Sequence, residues 1–218
     1  MAMLKVAILI SGRGSNMQAL VQACQQPGFP AQIACVISND PTAKGLEWAQ
    51  EQGISTIVVN HKEYGKDRET FERTVDAEIK KHGCQLVCLA GWMRLLTPWF
   101  VGEWLDRLVN IHPSLLPSFP GLHVQQAAID YGAKFSGCTV HFVRAEMDHG
   151  PIIIQAAVPV LPDDTEDALA ARILECEHKA YPQALRWIAE GRVNVIGQKV
   201  LVTGTNKPDA VMNPCLSS

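Results

Sequence analysis

Short β-branched segments alternate with segments of helical periodicity along the first two-thirds of this 218-residue chain. The strand-like segments cover residues 4–10, 31–38, 54–60, 85–90 and 107–111. Helical spacing of apolar residues fills most of the intervals between them, over residues 16–25, 42–52 and 67–81. Strand and helix repeated in this way predict right-handed crossovers and a parallel sheet that carries helices on both faces.

The rhythm changes after the fifth strand, where a proline-rich loop covers residues 112–121. The elements expected beyond it are a helix, two strands, a long helix and a hairpin, at residues 124–131, 138–143, 152–160, 164–190 and 193–202. The whole pattern predicts an α/β fold with an open, mostly parallel (mixed) sheet of about seven strands flanked by helices, and a Rossmann-like N-terminal half. We expect one domain over residues 1–203 and a polar C-terminal tail over residues 204–218.

Composition argues against several classes of protein. Apolar residues make up 47% of the chain, which provides enough material for a core, and the net charge of −3 comes without the basic tract that nucleic-acid binding requires. The longest apolar stretch, residues 86–93, is too short to span a bilayer. Because strand-like sequence begins at Leu4, we expect no signal peptide. The number of cysteines, seven, is odd, which fits free thiols in a reducing compartment. We therefore expect a cytoplasmic protein whose partners are small molecules rather than nucleic acids or membranes.

The segment Ser-Gly-Arg-Gly-Ser-Asn, residues 11–16, joins the first strand to the first helix. Its glycines allow a tight turn, and the free N–H groups at the start of a helix form an anion site, to which Ser15 and Asn16 add side-chain donors. We favour a single phosphate monoester as the ligand over a plain turn with an N-cap or a dinucleotide. Met17 stands where the dinucleotide fingerprint has its third glycine, and the absence of a following Lys-Ser or Lys-Thr excludes a P-loop.

A second motif, Asn-Ile-His-Pro-Ser at residues 110–114, lies at the carboxyl end of the fifth strand. Ligands of open parallel sheets bind outside the carboxyl ends of the strands, so this motif and the first should open onto one crevice. Alternation along a strand puts Asn110 and His112 on the same side, where an amide and an imidazole suit an oxyanion that develops during acyl transfer. Asp148, in the turn before Gly150, offers a carboxylate that could orient the imidazole.

Other chemistries find less support in the sequence. A Ser-His-Asp hydrolase would carry a G-x-S-x-G elbow, which is absent. A nicotinamide-dependent reductase would place an acid at the end of the second strand, where Asp40 stands, but the third glycine of its fingerprint is missing. A zinc site lacks paired ligand spacing, although four histidines could be considered for it: His112, His123, His141 and His149.

Taken in order, these motifs resemble the phosphoribosylglycinamide formyltransferase family of folate-dependent enzymes. The resemblance covers roughly residues 4–192 and is carried by SGRGSN at 11–16, AGWMRLL at 90–96, NIHPSLLPSFPGLH at 110–123, TVHFV at 139–143 and MDHGPIIIQ at 147–155. It implies the formyltransferase fold. It also implies transfer of a formyl group from the co-substrate 10-formyltetrahydrofolate to the amine of 5-phosphoribosylglycinamide, in de novo purine synthesis and without a metal.

The resemblance implies a role for individual residues. Asn110, His112 and Asp148 would be catalytic: the Asn110 amide and protonated His112 would stabilise the tetrahedral oxyanion, while Asp148 would hold the imidazolium. His141 would support Asn110. The substrate-binding residues would be Gly14, Ser15 and Asn16 at the phosphate and Glu177 at the ribose hydroxyls.

The folate-binding residues implied by the resemblance come from three parts of the chain. Arg68 would approach the glutamate tail, residues 93–96 would line the pterin pocket, and the turn at residues 144–148 would close over the pterin ring. The full set is Arg68, Met93, Arg94, Leu95, Leu96, Asn110, Arg144, Ala145, Glu146, Met147 and Asp148.

Three positions depart from the family pattern. Gln125 stands in place of a histidine, Leu174 in place of a lysine that some members carry near the phosphate, and His149 adds a second imidazole beside Asp148. The nearest alternatives are other 10-formyltetrahydrofolate-using formyltransferases or hydrolases of the same superfamily, whose additional domains we do not expect to fit into 218 residues. A monomer and a homodimer are both compatible with the sequence.

Overall fold

The computed structural model describes residues 3–207 and 212–213. Seven strands form one sheet: β1 (Leu4–Ile10), β2 (Ala31–Ser38), β3 (Ser55–Val58), β4 (Leu86–Leu89), β5 (Leu108–His112), β6 (Phe135–Phe142) and β7 (Ile152–Pro159). Their order is β3-β2-β1-β4-β5-β6-β7. The pairs among β1 to β5 are parallel, whereas β6 runs antiparallel to both β5 and β7. The predicted open, mixed sheet of seven strands is therefore confirmed.

Two layers of helices cover the sheet. The helices are α1 (Ser15–Cys24), α2 (Lys44–Glu51), α3 (Arg68–Lys81), α4 (Pro98–Glu103), α5 (Val124–Tyr131) and α6 (Glu166–Ala189). Side chains of β1 alternate between the two faces, so that Ile8 joins the core beneath α1, α2, α5 and α6, and Leu9 joins the core beneath α3 and α4. The fourfold spacing of Phe71, Val75 and Ile79 buries one face of α3 in the second core.

The strand order reverses between β1 and β4. After β1 the chain builds β2 and β3 on one side, and it then returns to place β4 on the other side of β1. The chain therefore leaves β1 and β4 toward opposite edges of the sheet, which opens a crevice beside the carboxyl ends of these strands, where open α/β sheets bind ligands. Register places Leu89 of β4, Asn110 of β5 and His141 of β6 level with one another beside this crevice.

A few boundaries differ from the sequence prediction. The fifth strand continues through His112, so this histidine is a strand residue rather than the first residue of the proline-rich loop. Helix α4 and a short 3-10 helix at His61–Tyr64 have no predicted counterpart, because they are too short to show periodicity. The predicted hairpin is confirmed as β8 (Val193–Ile196) and β9 (Lys199–Val202), with Ile196 paired to Lys199 across the turn.

The end of the chain is described only in part. Within the predicted tail at 204–218, residues 208–211 and 214–218 lie outside the described residues. The Asn213 side chain donates hydrogen bonds to the carbonyls of Lys134 and Val160 at 2.5 and 3.4 Å. The division into a domain at 1–203 and a tail stays a prediction. No helix within the described ranges is long and apolar enough to cross a membrane.

Candidate active site

The loops after β1 and β4 are joined to each other at the crevice. The Ser11 N–H donates to the Gly91 carbonyl at 3.1 Å, and the Ser11 hydroxyl accepts from the Met93 N–H at 2.8 Å. The same hydroxyl donates to Asn39 Oδ1 at 2.6 Å. Between the two loops lies a cavity of about 200 Å³, lined by residues 11–16 together with Ala90, Gly91 and Met93.

The first loop ends in a helix N-terminus that is suited to an anion. Gly14 has a φ of 73°, a conformation that L side chains rarely adopt, and a Cβ there would lie 3.1 Å from the Met17 side chain. Helix α1 begins at the next residue, and the N–H groups of Ser15 and Asn16 have no protein acceptor within the described part of the chain. Free donors at a helix N-terminus, reinforced by the helix dipole, are what an anion site requires, and the predicted phosphate site stays a prediction.

Asn16 and Glu177 connect this loop to helix α6. The Asn16 side chain donates to Glu177 Oε2 at 2.7 Å, across 161 residues of sequence. Glu177 is only 6% exposed, and this burial raises the pKa of its carboxyl, against which the Asn16 hydrogen bond acts. Two of the predicted substrate-binding residues are therefore in direct contact, with the Asn16 side chain held at the mouth of the loop.

The three predicted catalytic residues also come together. His112 Nδ1 lies 3.6 Å from Asp148 Oδ2, with their side chains 7% and 9% exposed. Asn110 precedes His112 by two residues on β5, so both side chains leave the same face of the strand. On the other side of the imidazole, His112 Nε2 lies 3.1 Å from the carbonyl oxygen of Phe119. Both ring nitrogens thus face an oxygen acceptor, and an imidazolium could donate to both.

His141 sets the orientation of the Asn110 amide. Its Nδ1 lies 3.0 Å from the Phe142 carbonyl, and its Nε2 lies 3.4 Å from Asn110 Nδ2. Burial lowers the pKa of His141, which favours the neutral ring. A neutral ring that donates from Nδ1 leaves Nε2 as an acceptor, so it can receive one hydrogen of the Asn110 amide and leave the second for a ligand. This contact is the one expected of a supporting residue.

Asp148 reaches the histidine from a tightly folded turn. It has a φ of 57°, and its Oδ2 also accepts from the Gly121 N–H at 3.0 Å. Two residues later, Gly150 packs so closely on the Phe142 carbonyl that a Cβ would lie 1.5 Å from that oxygen. Only glycine can therefore hold the end of this turn against β6, which brings the carboxylate back toward β5.

The predicted folate-facing segment at residues 93–96 borders the same crevice. Met93 and Leu95 expose 72% and 61% of their surface, which is unusual for large apolar side chains and leaves them available to a ligand. Trp92 is stacked on Phe71 of α3 at a centroid distance of 6.1 Å. The Arg94 guanidinium lies 5.3 Å from the centroid of the same Phe71 ring.

The remaining predicted folate contacts are at the periphery. Arg68 is exposed in the first turn of α3, and Ala145, Glu146 and Met147 are exposed in the turn after β6. Arg144 is engaged elsewhere, because its guanidinium forms an ion pair with Asp106 at 2.5 Å. The structure therefore brings His112 to Asp148 and Asn16 to Glu177, but it leaves these five side chains without a direct contact to either pair.

None of the three departures from the family pattern forms a described hydrogen bond or ion pair with Asn110, His112 or Asp148. His149 is exposed, with Nδ1 3.1 Å from the Met147 carbonyl, and His123 lies 3.8 Å from Glu166 at the start of α6. Gln125 lies on α5 and Leu174 on α6, and both are partly buried. Across the described ranges, no group of three or more His, Cys, Asp or Glu side chains could hold a metal ion.

Four residues of the site were missed by sequence reasoning. Phe119 and Gly121 contact His112 and Asp148 through backbone atoms, so their side chains gave no signal. Ser11 was part of the first motif, but its bond to Met93 depends on how two distant loops meet. Glu72 accepts hydrogen bonds from Thr97 at the end of the folate-facing segment, and only the Thr-Pro sequence of the helix cap at α4 hinted at this position.

Known proteins match this chain over most of its length. The family model for formyl transferase matches residues 4–185. Phosphoribosylglycinamide formyltransferase from Escherichia coli strain K12 is 40% identical over 205 residues, which cover 94% of this chain and 96% of that protein. The trifunctional purine biosynthetic protein adenosine-3 of Drosophila melanogaster is 51% identical over 189 residues, and the chain spans 14% of its length.

Solved structures agree with these matches. Glycinamide ribonucleotide transformylase 1 from Symbiobacterium toebii superposes with a TM-score of 0.89 at 44% identity, covering 92% of this chain and 94% of that one. A formyltetrahydrofolate deformylase from Pseudomonas syringae pv. tomato superposes with a TM-score of 0.84 at 29% identity, covering 92% of this chain and 66% of that one. The chain therefore belongs to the formyl transferase family, which confirms the resemblance seen in its motifs.

Proposed function

We propose that this chain transfers the formyl group of 10-formyltetrahydrofolate to the amine of 5-phosphoribosylglycinamide, a step of de novo purine synthesis. The observation that carries the proposal is the approach of His112 to Asp148, two residues after Asn110 on β5, at the same carboxyl edge of the sheet where the anion loop follows β1. The names of the relatives support the same reaction, since the matched Escherichia coli protein is a phosphoribosylglycinamide formyltransferase and the Drosophila protein is purine biosynthetic.

The substrate phosphate would bind at the start of α1. Gly14, Ser15 and Asn16 present backbone N–H groups there, and the helix dipole favours the negative charge. Glu177 is buried beside Asn16 and would accept hydrogen bonds from the ribose hydroxyls. Because Leu174 is apolar, the phosphate would depend on the loop and the dipole rather than on a lysine from α6.

The substrate amine would attack the formyl carbon directly, and the three catalytic residues would assist this attack. The free hydrogen of the Asn110 amide and an N–H of protonated His112 would stabilise the oxyanion of the tetrahedral intermediate. His112 would exchange its bond to the Phe119 carbonyl for one to the formyl oxygen. Asp148 would hold the imidazolium and help carry the amine proton to the folate nitrogen as the bond from carbon to that nitrogen breaks.

The reduced folate would lie between two exposed segments. Residues 93–96 would supply apolar walls and backbone groups for the pterin, while the turn from Arg144 to Asp148 would close over it. Arg68 would approach the glutamate tail from the N-terminus of α3. No metal is part of this reaction as we propose it. The cytoplasmic location, and the choice between monomer and homodimer, stay predictions.

The proposal is tested by following formyl transfer spectrophotometrically from 10-formyl-dideazafolate. We expect saturable turnover with 5-phosphoribosylglycinamide, and no turnover when the acceptor is glycinamide, which lacks the phosphate and the ribose. Equal rates with the two acceptors would contradict a phosphate-anchored substrate. NADH provides a separate control, since a change in its fluorescence on mixing with the protein would favour the reductase alternative.

Hydrolysis of the formyl-folate is the second candidate, because the deformylase structure shares the fold over 92% of this chain. A hydrolase would release formate at the same rate with and without the acceptor. Formate should therefore be measured in the same reactions. We expect it to be minor relative to formylated product, and formate as the main product would replace our proposal with this alternative.

A further inference from the structure

The folate-facing segment is held by a hydrogen bond at each of its two ends. At its start, the Met93 N–H donates to the Ser11 hydroxyl at 2.8 Å. At its end, the Thr97 N–H donates to Glu72 Oε1 at 2.8 Å. Between these two bonds, the backbone groups of residues 94–96 have no hydrogen-bond partner within the described parts of the chain. Backbone groups left free beside exposed apolar side chains are available to a ligand.

Glu72 holds its end of the segment with both carboxylate oxygens. Oε2 accepts a short hydrogen bond from the Thr97 hydroxyl, in addition to the backbone bond at Oε1. Glu72 is 2% exposed and lies on α3, the helix that also contributes Phe71 to the second core. Its position is therefore set by the packing of α3 against the sheet, so the loop is anchored to a rigid element.

Burial of this carboxylate carries a cost that other side chains offset. Desolvation raises the pKa of Glu72, whereas the Thr97 bonds and the nearby guanidinium groups of Arg68 and Arg94 oppose the rise. A leucine or methionine at this position would pack in the core without that cost. The buried carboxylate therefore connects α3 to the loop through its two hydrogen bonds with Thr97.

We propose that Glu72 is a positioning residue for the reduced folate: by holding Thr97 it fixes the backbone of residues 94–96 in the conformation that binds the pterin. This inference rests on the proposed function. Glu72 itself has no contact with the three catalytic residues. Its loss should therefore weaken folate binding while leaving the chemistry and the binding of the second substrate nearly intact.

The test is the Glu72→Ala variant of the full chain, with the KM of each substrate measured separately. We expect the KM for 10-formyl-dideazafolate to rise about tenfold or more, because the segment must then be ordered at the moment of binding. The KM for 5-phosphoribosylglycinamide and kcat should change by less than about twofold, because neither substrate's chemistry touches this carboxylate. Equal KM changes for both substrates, or no change for either, would overturn the inference.

Two other variants separate positioning from a general loss of stability. Glu72→Gln is nearly isosteric and keeps an acceptor for the Thr97 N–H, so it should restore the KM for the folate. Asp76→Ala removes another buried carboxylate one turn later on α3, which accepts from Trp104 Nε1 at 3.0 Å and not from the segment. It should lower the melting temperature and leave both KM values unchanged. A rise in the folate KM in Asp76→Ala equal to that in Glu72→Ala would contradict a specific role for Glu72.

If Glu72→Ala does not fold, substitutions of Thr97, the hydrogen-bond partner of Glu72, test the same interaction. Thr97→Val removes the hydroxyl bond to Glu72, whereas Thr97→Ser retains it. We expect the valine variant alone to raise the KM for the folate, and equal KM values for the two variants would overturn the inference. Wild-type protein without any formyl transfer would instead contradict the proposed function, so the two failures are distinguishable.

Discussion

At the scale of single residues, the site depends on which oxygen atoms surround His112. Its two ring nitrogens face Asp148 and the Phe119 carbonyl, at 3.6 and 3.1 Å. Acceptors on both sides suit an imidazolium, whose two N–H groups both donate. Neutral His141 differs, because it donates to a carbonyl on one side and accepts from the Asn110 amide on the other. The two histidines thus have different hydrogen-bonding surroundings, which their neighbours determine.

We expect His112→Ala and Asp148→Asn each to lower kcat at least about 100-fold, the usual contribution of a positioned acid or base. Binding of 5-phosphoribosylglycinamide should change little in either variant, since the phosphate site that we propose lies at the start of α1. Steady-state turnover and calorimetric titration measure the two effects independently. Near-normal turnover in either variant would contradict the mechanism.

His149→Ala is the matched control for these substitutions. This histidine follows Asp148 directly, but it is exposed and contacts only the Met147 carbonyl among the interactions described. We expect its replacement to leave kcat within about twofold of wild type, because no hydrogen bond of the catalytic residues is removed. A large loss would mean that the second imidazole takes part in the Asp148–His112 pair.

At the scale of elements, the long helix α6 contacts two separate parts of the site. Its 24 residues carry Glu177 to Asn16, and one turn later the buried Tyr181 hydroxyl reaches the carbonyls of Leu89 and Val109 at 3.0 Å each. These carbonyls belong to β4 and β5, whose ends border the crevice. The position of α6 therefore affects both the loop at residues 11–16 and strand β5, which carries Asn110 and His112.

The start of α6 offers a test of how this helix contributes to stability. Thr165 is its N-cap, and the hydroxyl accepts from the Ala168 N–H at 3.2 Å. We expect Thr165→Ala to lower the free energy of unfolding by about 1 kcal/mol. Urea unfolding measures this loss, and Thr165→Ser, which keeps the hydroxyl, should recover most of it. A serine variant as unstable as the alanine variant would show that the cap is not the cause.

At the scale of the whole molecule, buried carboxyls on both faces of the sheet connect stability to pH. Glu72 is on α3, which packs on one face of the sheet, and Glu177 is on α6, which packs on the other face. Burial raises the pKa of each carboxyl above that of an ordinary glutamate. Between the ordinary pKa and the raised one, the folded state binds more protons than the unfolded state. The contribution of these two carboxyls to stability therefore falls as pH rises through this window.

Glu177→Gln should remove one part of this pH dependence. We expect the variant to be more stable than wild type at about pH 7.5, where the carboxyl is ionised in the unfolded chain and its burial on folding therefore costs free energy, and the difference to vanish at about pH 4, below the ordinary pKa of glutamate. Urea unfolding across this range measures the slope. Substitution of the exposed Glu175 on the same helix by Gln is the control, and it should leave the slope unchanged. A stability difference that is the same at both pH values would contradict desolvation as the cause.

Much of the fold was predictable because it depends on local periodicity. Strands β1 and β2 occur at the residues that the β-branched runs predicted, and α3 buries the face on which Phe71, Val75 and Ile79 recur. Helix α4 was not predictable in this way, since its six residues are too few to show a period. The closeness of Asn110 and His112 was also predictable, because they lie two residues apart on one strand.

Contacts between distant segments were beyond the reach of the sequence. It determined which residue types could bind an anion, donate to an oxyanion or build a strand, because those properties belong to short stretches of chain. Only the tertiary structure decided that Glu177 would hold Asn16, that the Phe119 carbonyl would face His112, and that Glu72 would hold Thr97. The physical reason is that hydrogen-bond partners are chosen by the packing of helices on the sheet, and packing depends on all of the elements together.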